Sequence, residues 1–172
     1  MEYEFKLIFK IAPRDGDHEQ IMQKLAEADC TDALVGLGVG GHVGLEFMRE
    51  GQRALDVMKQ AIRDVQEALP SARLVEACPD WVGLTDVADL VGVSRQNMRK
   101  LMITHADRFP SPVHAGTTAI WHLADVLHFL QDRKMACPPA VYEVAQATWQ
   151  VNAAQAKRSL AAELRTAKPF KV

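Results

Sequence analysis

Cysteine is scarce and scattered in this chain. Cys30, Cys78 and Cys137 form no CxxC pair, and an odd number at such wide spacing offers no disulfide framework, so a cytoplasmic location is expected. Long apolar runs are also missing. No stretch approaches the length of a membrane span, and the charged start does not read as a signal peptide, so no membrane partner is expected. Metal-ligand spacing is absent too. His122 and His128 are six apart on a predicted helix, and His18, His42, His105 and His114 have no second ligand at a useful distance, so no metal is expected. There is no nucleophile elbow and no carboxylate pair set for acid–base work. The reading is therefore of a non-enzyme with no catalytic residue and no cofactor. One glycine pattern, Gly36, Gly38 and Gly41, fits GxGxxG, but a nucleotide site needs a helix to start right after it. His42 to Phe47 reads as strand instead, so a hairpin, or a sheet edge that another backbone approaches, accounts better for these glycines.

Excess charge is nearly absent overall, at a formal net −2, yet the charges are unevenly placed. Residues 1–94 hold 9 Lys and Arg against 17 Asp and Glu, whereas residues 95–172 hold 11 against 5. Affinity for a polyanion depends on local field rather than on the total, and the sign changes at Arg95.

The 172 residues suit one large or two small domains. In the first part, Tyr3, Phe5, Leu7, Phe9 and Ile11 alternate with polar residues and predict a half-buried strand. Asp17 is placed to cap a helix running to about Ala28, with Ile21, Met22 and Leu25 inward. Ala33–Leu37 and His42–Met48 read as strands flanking the glycine turn. A helix follows from Gln52 to Leu69, with Leu55, Met58, Ile62 and Val65 on one face, and Pro70 stops it. Ala72–Ala77 is a last short strand, and Cys78-Pro79-Asp80 is the junction. Strand, helix, strand, strand, helix, strand predicts a ferredoxin-like (split βαβ) sandwich over residues 1–79. That architecture names no function; dimerisation or docking of a protein partner is the expectation.

The most informative stretch runs from Trp81 to Arg133. Thr85 is a candidate N-cap for a first helix, Val87, Ala88 and Val91 make an apolar face, and Gly92 ends the helix. Ser94 then caps a second helix, Arg95 to Met102. Met98, Leu101 and Met102 face inward, which leaves Arg95, Gln96, Asn97, Arg99 and Lys100 outward. Those types suit base reading: Arg pairs with guanine, Gln or Asn with adenine, and Lys with phosphate. Pro110 and Pro112 force an extended path. His114 to Thr118 reads as a turn, Ala119-Ile120-Trp121 as a second short strand, and Leu123 to Gln131 as a helix with Leu123, Val126, Leu127 and Leu130 inward.

Taken in order, Leu84-Thr85-Asp86-Val87-Ala88, Leu90-Val91-Gly92-Val93-Ser94-Arg95, Arg108-Phe109-Pro110-Ser111-Pro112-Val113, Trp121 and Asp125-Val126-Leu127 resemble the AlpA/excisionase-type winged helix-turn-helix proteins, relatives of the MerR DNA-binding domain. The resemblance covers about fifty residues. It implies an α+β chain with a winged helix-turn-helix domain at 80–136, a recognition helix from Arg95 and a wing between Pro112 and Trp121. Two departures stand out. Family members often carry an aromatic residue where Arg99 stands. Their wing is usually basic around the tryptophan, whereas Ile120, Trp121 and His122 supply no fixed positive charge. Wing contact with phosphate then rests on Thr117, Thr118 and backbone amides, while His114, in the wing turn, either touches a phosphate or is simply solvated.

Residues 137–172 complete the chain. Cys137-Pro138-Pro139 precedes a long alanine-rich helix, Ala140 to Thr166, whose sparse stripe runs through Tyr142, Ala145, Trp149, Ala153, Ala156, Leu160 and Leu164. The stripe either packs back on its own domain or pairs with a second subunit. Lys157, Arg158, Arg165, Lys168 and Lys171 make this end basic.

The function expected from these readings is a sequence-specific double-stranded DNA-binding regulator of transcription, or an excisionase-like accessory protein, of a bacterium or mobile element, working as a homodimer. Ser94, Arg95, Gln96, Asn97, Arg99, Lys100, His114, Thr117 and Thr118 are its candidate contacts. The alternative is a protein-interaction adaptor that uses the same scaffold without binding DNA.

Overall fold

The computed structural model describes residues 1–28 and 30–166. The described residues form a mixed α+β architecture with two small antiparallel sheets, six α-helices and a long helix at the C-terminal end. None of these helices is long and apolar enough to cross a membrane.

The first sheet follows from the alternation in the sequence. β1 (Glu2–Lys10) buries Tyr3, Phe5, Leu7 and Phe9 on one face. It pairs antiparallel with β3 (His42–Glu50), Phe5 opposite Phe47, and with β4 (Arg73–Cys78). β2 (Ala33–Leu37) pairs with β3, so the order is β2-β3-β1-β4. The glycine run between β2 and β3 is a hairpin turn, and His42 enters a strand, not a helix. Gly41 has φ +76° and receives the Ile11 N–H at 2.8 Å; a Cβ there would lie 2.8 Å from Ile11 O, so only glycine fits.

Helices cover the apolar face. α1 (His18–Glu27) starts with a reciprocal capping box between Asp17 and Gln20. It buries Ile21 and Leu25, but Met22 is on its solvent side rather than inward. α2 (Ala54–Ala68) buries Ala54, Met58, Ala61 and Val65, with Leu55 and Ile62 half-buried at the margin. The Arg49 guanidinium, on the helix side of β3, binds Asp32 ahead of β2 and Asp64 on α2 (2.5 and 2.6 Å), and lies over the Phe47 ring.

The other sheet face is open. Cys78 lies on it beside Glu76, and burial, reinforced by that carboxylate, pushes its thiol up to about 12. An unfolded cysteine ionises near pH 8.5. Between these two values the unfolded chain has released a proton that the folded chain keeps, so stability falls as pH rises through this window. The drop in melting temperature from pH 8 to pH 10.5 is expected to be smaller in Cys78→Ala than in the parent chain.

A second core is built from α3 (Leu84–Leu90), α4 (Arg95–Thr104), α5 (Leu123–Asp132) and a three-stranded sheet, β5 (Trp81–Val82), β6 (His114–Ala115) and β7 (Ala119–His122), in the order β5-β7-β6. The third strand, β5, is too short to announce itself by alternation. It exists because its neighbour β7 offers a ladder, Trp81 opposite His122.

α6 (Pro139–Thr166) joins the two cores. Pro139 opens it at a position where a missing N–H goes unfelt. Val144, Ala147 and Val151 enter the first core and Ala145 the second. The first half of α6 is thus enclosed on two sides, which is why its interior face is broader than the single stripe expected from spacing. The second half of that stripe, Ala153, Ala156, Leu160 and Leu164, is exposed. Lys168 and Lys171, expected in the basic end, lie outside the described residues.

A buried polar cluster fixes this junction. Asn152 Nδ2 donates to Ala77 O (2.8 Å) and to Asp80 Oδ2 (2.7 Å), and Asn152 Oδ1 accepts from Ala77 N (2.8 Å). His122 Nδ1 donates to Asp80 Oδ1 at 2.6 Å, and its ring lies against Trp149, tilted by 32° with centroids 4.8 Å apart. Asp80 O accepts from Leu123 N, and Thr148 Oγ1 lies 2.7 Å from Pro79 O. Farther along, the Tyr3 hydroxyl donates to Glu143 at 2.6 Å; that bond, with burial, holds its phenol above the ordinary range. One helix therefore grips β1, β4 and β7.

Candidate nucleic-acid interface

The side chains that sequence reading singles out sit mostly on α4, and local chemistry explains how they are displayed. α3 begins two residues earlier than expected. Gly83, not Thr85, is its cap: Asp86 Oδ2 reaches back to accept the Gly83 N–H at 2.7 Å, and Thr85 is an exposed residue of the first turn. Val87 and Ala88 are buried. Gly92 adopts φ +70°, the left-handed conformation that lets the chain leave α3 and re-enter α4 after two residues. Val93 N donates to Ala88 O at 2.9 Å, which closes the turn.

Ser94 caps α4, its Oγ accepting from Asn97 N at 3.1 Å. That bond uses an acceptor site and leaves the hydroxyl proton available to a ligand. Met98 is fully buried, and Leu101 and Met102 pack against the same core at partial exposure. With Met98 facing inward, Arg95, Gln96, Asn97, Arg99 and Lys100 are all exposed. Among the described residues none of these five side chains makes a hydrogen bond or ion pair. Thr85, Asp86 and Asp89 line the exposed side of α3, so the positive charge of this unit is confined to α4 and the segment after it.

α4 runs to Thr104, two residues past the expected end. His105 caps it, and Arg108 N and Phe109 N both donate to His105 O. Arg108 is exposed beside Asp107 (3.7 Å). Arg133, one of the eleven basic residues of 95–172, turns inward. Its guanidinium lies over the Phe129 ring (4.6 Å to the centroid) and meets His105 Nε2 at 3.0 Å, so it braces the end of α4 and offers little to a ligand.

The hairpin differs in register from its expected form. His114 is in strand β6, opposite Ile120, and only Gly116 to Thr118 make the turn. The His114 ring folds over Gly116, where a Cβ would come within 2.3 Å of Nε2. Thr117 and Thr118 form the exposed tip. Trp121 Nε1 donates to Pro110 O (3.0 Å), and the Trp121 ring meets Phe109 edge-on at 5.8 Å, so β7 is locked to the segment leaving α4. No hydrogen bond among the described residues joins the hairpin tip to α4. The structure thus gathers Ser94, Arg95, Gln96, Asn97, Arg99 and Lys100 on one short helix and places His114, Thr117 and Thr118 on a separate hairpin.

The sequence reading missed the Asp80–His122–Asn152 cluster. Its members are 42 and 72 residues from Asp80, and no spacing rule links them. The only sign was an Asn in the middle of an alanine-rich helix, where its low helix propensity asks for a reason. Neither family models, curated proteins nor solved structures yield a match to this chain.

Proposed function

We propose that this chain is a sequence-specific double-stranded DNA-binding protein, a transcriptional regulator or excisionase-like accessory factor, that works as a homodimer. The observation that carries the reading is the row of five exposed side chains on α4, polar or basic and without partners among the described residues. Bidentate donors and acceptors held on one rigid helix suit the edges of base pairs in a major groove, and Ser94 with the first amides of α4 suits a phosphate. The finer architecture fits as well. A β1-α1-β2-β3-α2-β4 sequence with strand order β2-β3-β1-β4 supports a ferredoxin-like reading of the first 79 residues. The α3–turn–α4 unit, followed by a hairpin and α5, supports a winged helix-turn-helix reading of residues 80–136.

A salt titration tests this reading. DNA affinity is expected to fall steeply as salt rises, with a log–log slope near −0.9 per phosphate contacted. A second reading, a protein-interaction adaptor, draws on the hairpin tip, whose Thr117 and Thr118 bring no fixed charge. Undetectable DNA binding at low salt favours the adaptor.

A further inference from the structure

The four-stranded sheet has two edges, and the fold treats them differently. On β4, Asn152 takes both the N–H and the C=O of Ala77, so α6 seals that edge. On β2 no described residue has that role. Gly38 N donates to His42 O at 2.7 Å, which sets the alternation of the β2–β3 ladder. The amides of Val35 and Leu37 consequently point away from β3, and among the described residues no acceptor meets them. β2 also lacks the usual protections of an edge, since Ala33 to Leu37 includes no charge and no proline. Leu34 is 73% exposed and Val39, just beyond the strand, 95%.

Gly36 adds a separate observation. Glycine weakens a strand, yet a Cβ at Gly36 would meet nothing within 4 Å and the backbone there has no positive φ. Packing within one chain therefore does not account for it.

We propose that β2 is a homodimerisation edge, on which β2 of a second copy adds antiparallel across a two-fold axis at Val35 and fuses two four-stranded sheets into one. Self-pairing in this register sets Leu34 against the partner subunit's Gly36, so the missing side chain leaves room for the leucine. It sets Ala33 against the partner subunit's Leu37, again small against large. The outward amides of Val35 and Leu37 gain acceptors. A second copy fits better than a foreign peptide because the edge is self-complementary about its own centre and carries no charge to orient another sequence. The inference deepens the homodimer part of the proposed function and does not depend on DNA binding.

Gly36→Val is the decisive variant. In one chain its side chain enters empty space and improves strand propensity, whereas in the dimer it meets the partner subunit's Leu34. Sedimentation of the full chain is expected to give twice the 19.1 kDa chain mass for the parent protein. In Gly36→Val the dissociation constant is expected to rise by at least about tenfold, with the melting temperature of the fold unchanged or higher. Leu34→Lys, at an exposed position, is expected to do the same. Hydrogen exchange supplies a second readout, with Val35 and Leu37 amides protected in the parent dimer and fast in Gly36→Val. A parent chain monomeric up to its solubility limit, or a dimer that neither substitution weakens, overturns the proposal. A dimer lost on both substitutions in a protein that never binds DNA supports it and removes the DNA reading alone.

Discussion

Replacing Asn152 with alanine is expected to destabilise the fold by about 3 kcal/mol, which for a chain of this length lowers the melting temperature by roughly 6–12 °C. The magnitude comes from what is left behind. Asn152 is buried, and its amide satisfies three groups at once: the Ala77 N–H, the Ala77 C=O and one oxygen of the buried Asp80. Alanine leaves all three without a partner in a place water does not reach, and each unmet buried polar group costs about 1–3 kcal/mol. Asn152→Asp is expected to be worse, since it removes the donor and sets a second carboxyl beside Asp80. Gln150→Ala, on the exposed side of the same helix, serves as the control and is expected to change little. Thermal unfolding followed by circular dichroism gives the comparison. A melting temperature for Asn152→Ala equal to that of the control would show that the junction is not held by this cluster.

Arg95→Ala and Arg99→Ala are each expected to weaken binding to a specific site by about 1–3 kcal/mol, roughly 5- to 150-fold, and to relax the base preference at one position. Lys100→Ala has a different signature: a uniform loss across sequences and a salt slope reduced by about one. None of these substitutions should disturb the fold, because none of the three side chains has a partner among the described residues. Fluorescence anisotropy with a cognate duplex and a scrambled one separates the two signatures. Equal affinity for the cognate duplex in the parent chain, Arg95→Ala and Arg99→Ala would remove α4 as the reading element.

Local chemistry was legible in the sequence. The alternation of Tyr3, Phe5, Leu7 and Phe9, the Asp17 cap, Gly92 and the Ser94 cap are each decided by neighbours within a few residues, and the structure has them as read. The inward turn of Met98 and the exposure of the polar α4 residues follow from helical spacing alone. Thr85 was a local miss: it looks like the better cap, but Asp86, three residues on, reaches back to Gly83 and moves the helix start. The other misses depend on how the chain packs. Arg133 counts among the basic residues of the second half of the chain, but Phe129 and His105 take up its guanidinium. His114 looks like a turn residue until Ile120 pairs with it. The stripe on α6 suggested one partner surface, whereas the first half of that helix serves two cores and hides Thr148 and Asn152 between them. Apart from the Gly83 cap, the misread side chains were those committed by packing rather than by helical or strand spacing.

Selection of bound sequences from a random duplex pool by the full-length protein tests the proposal most directly. The account predicts a palindrome whose half-sites lie about one helical turn apart, and loss of that enrichment when Arg95, Gln96 and Arg99 are all replaced by alanine. A pool that stays random at low salt, or a motif equally enriched by the triple variant, would contradict it.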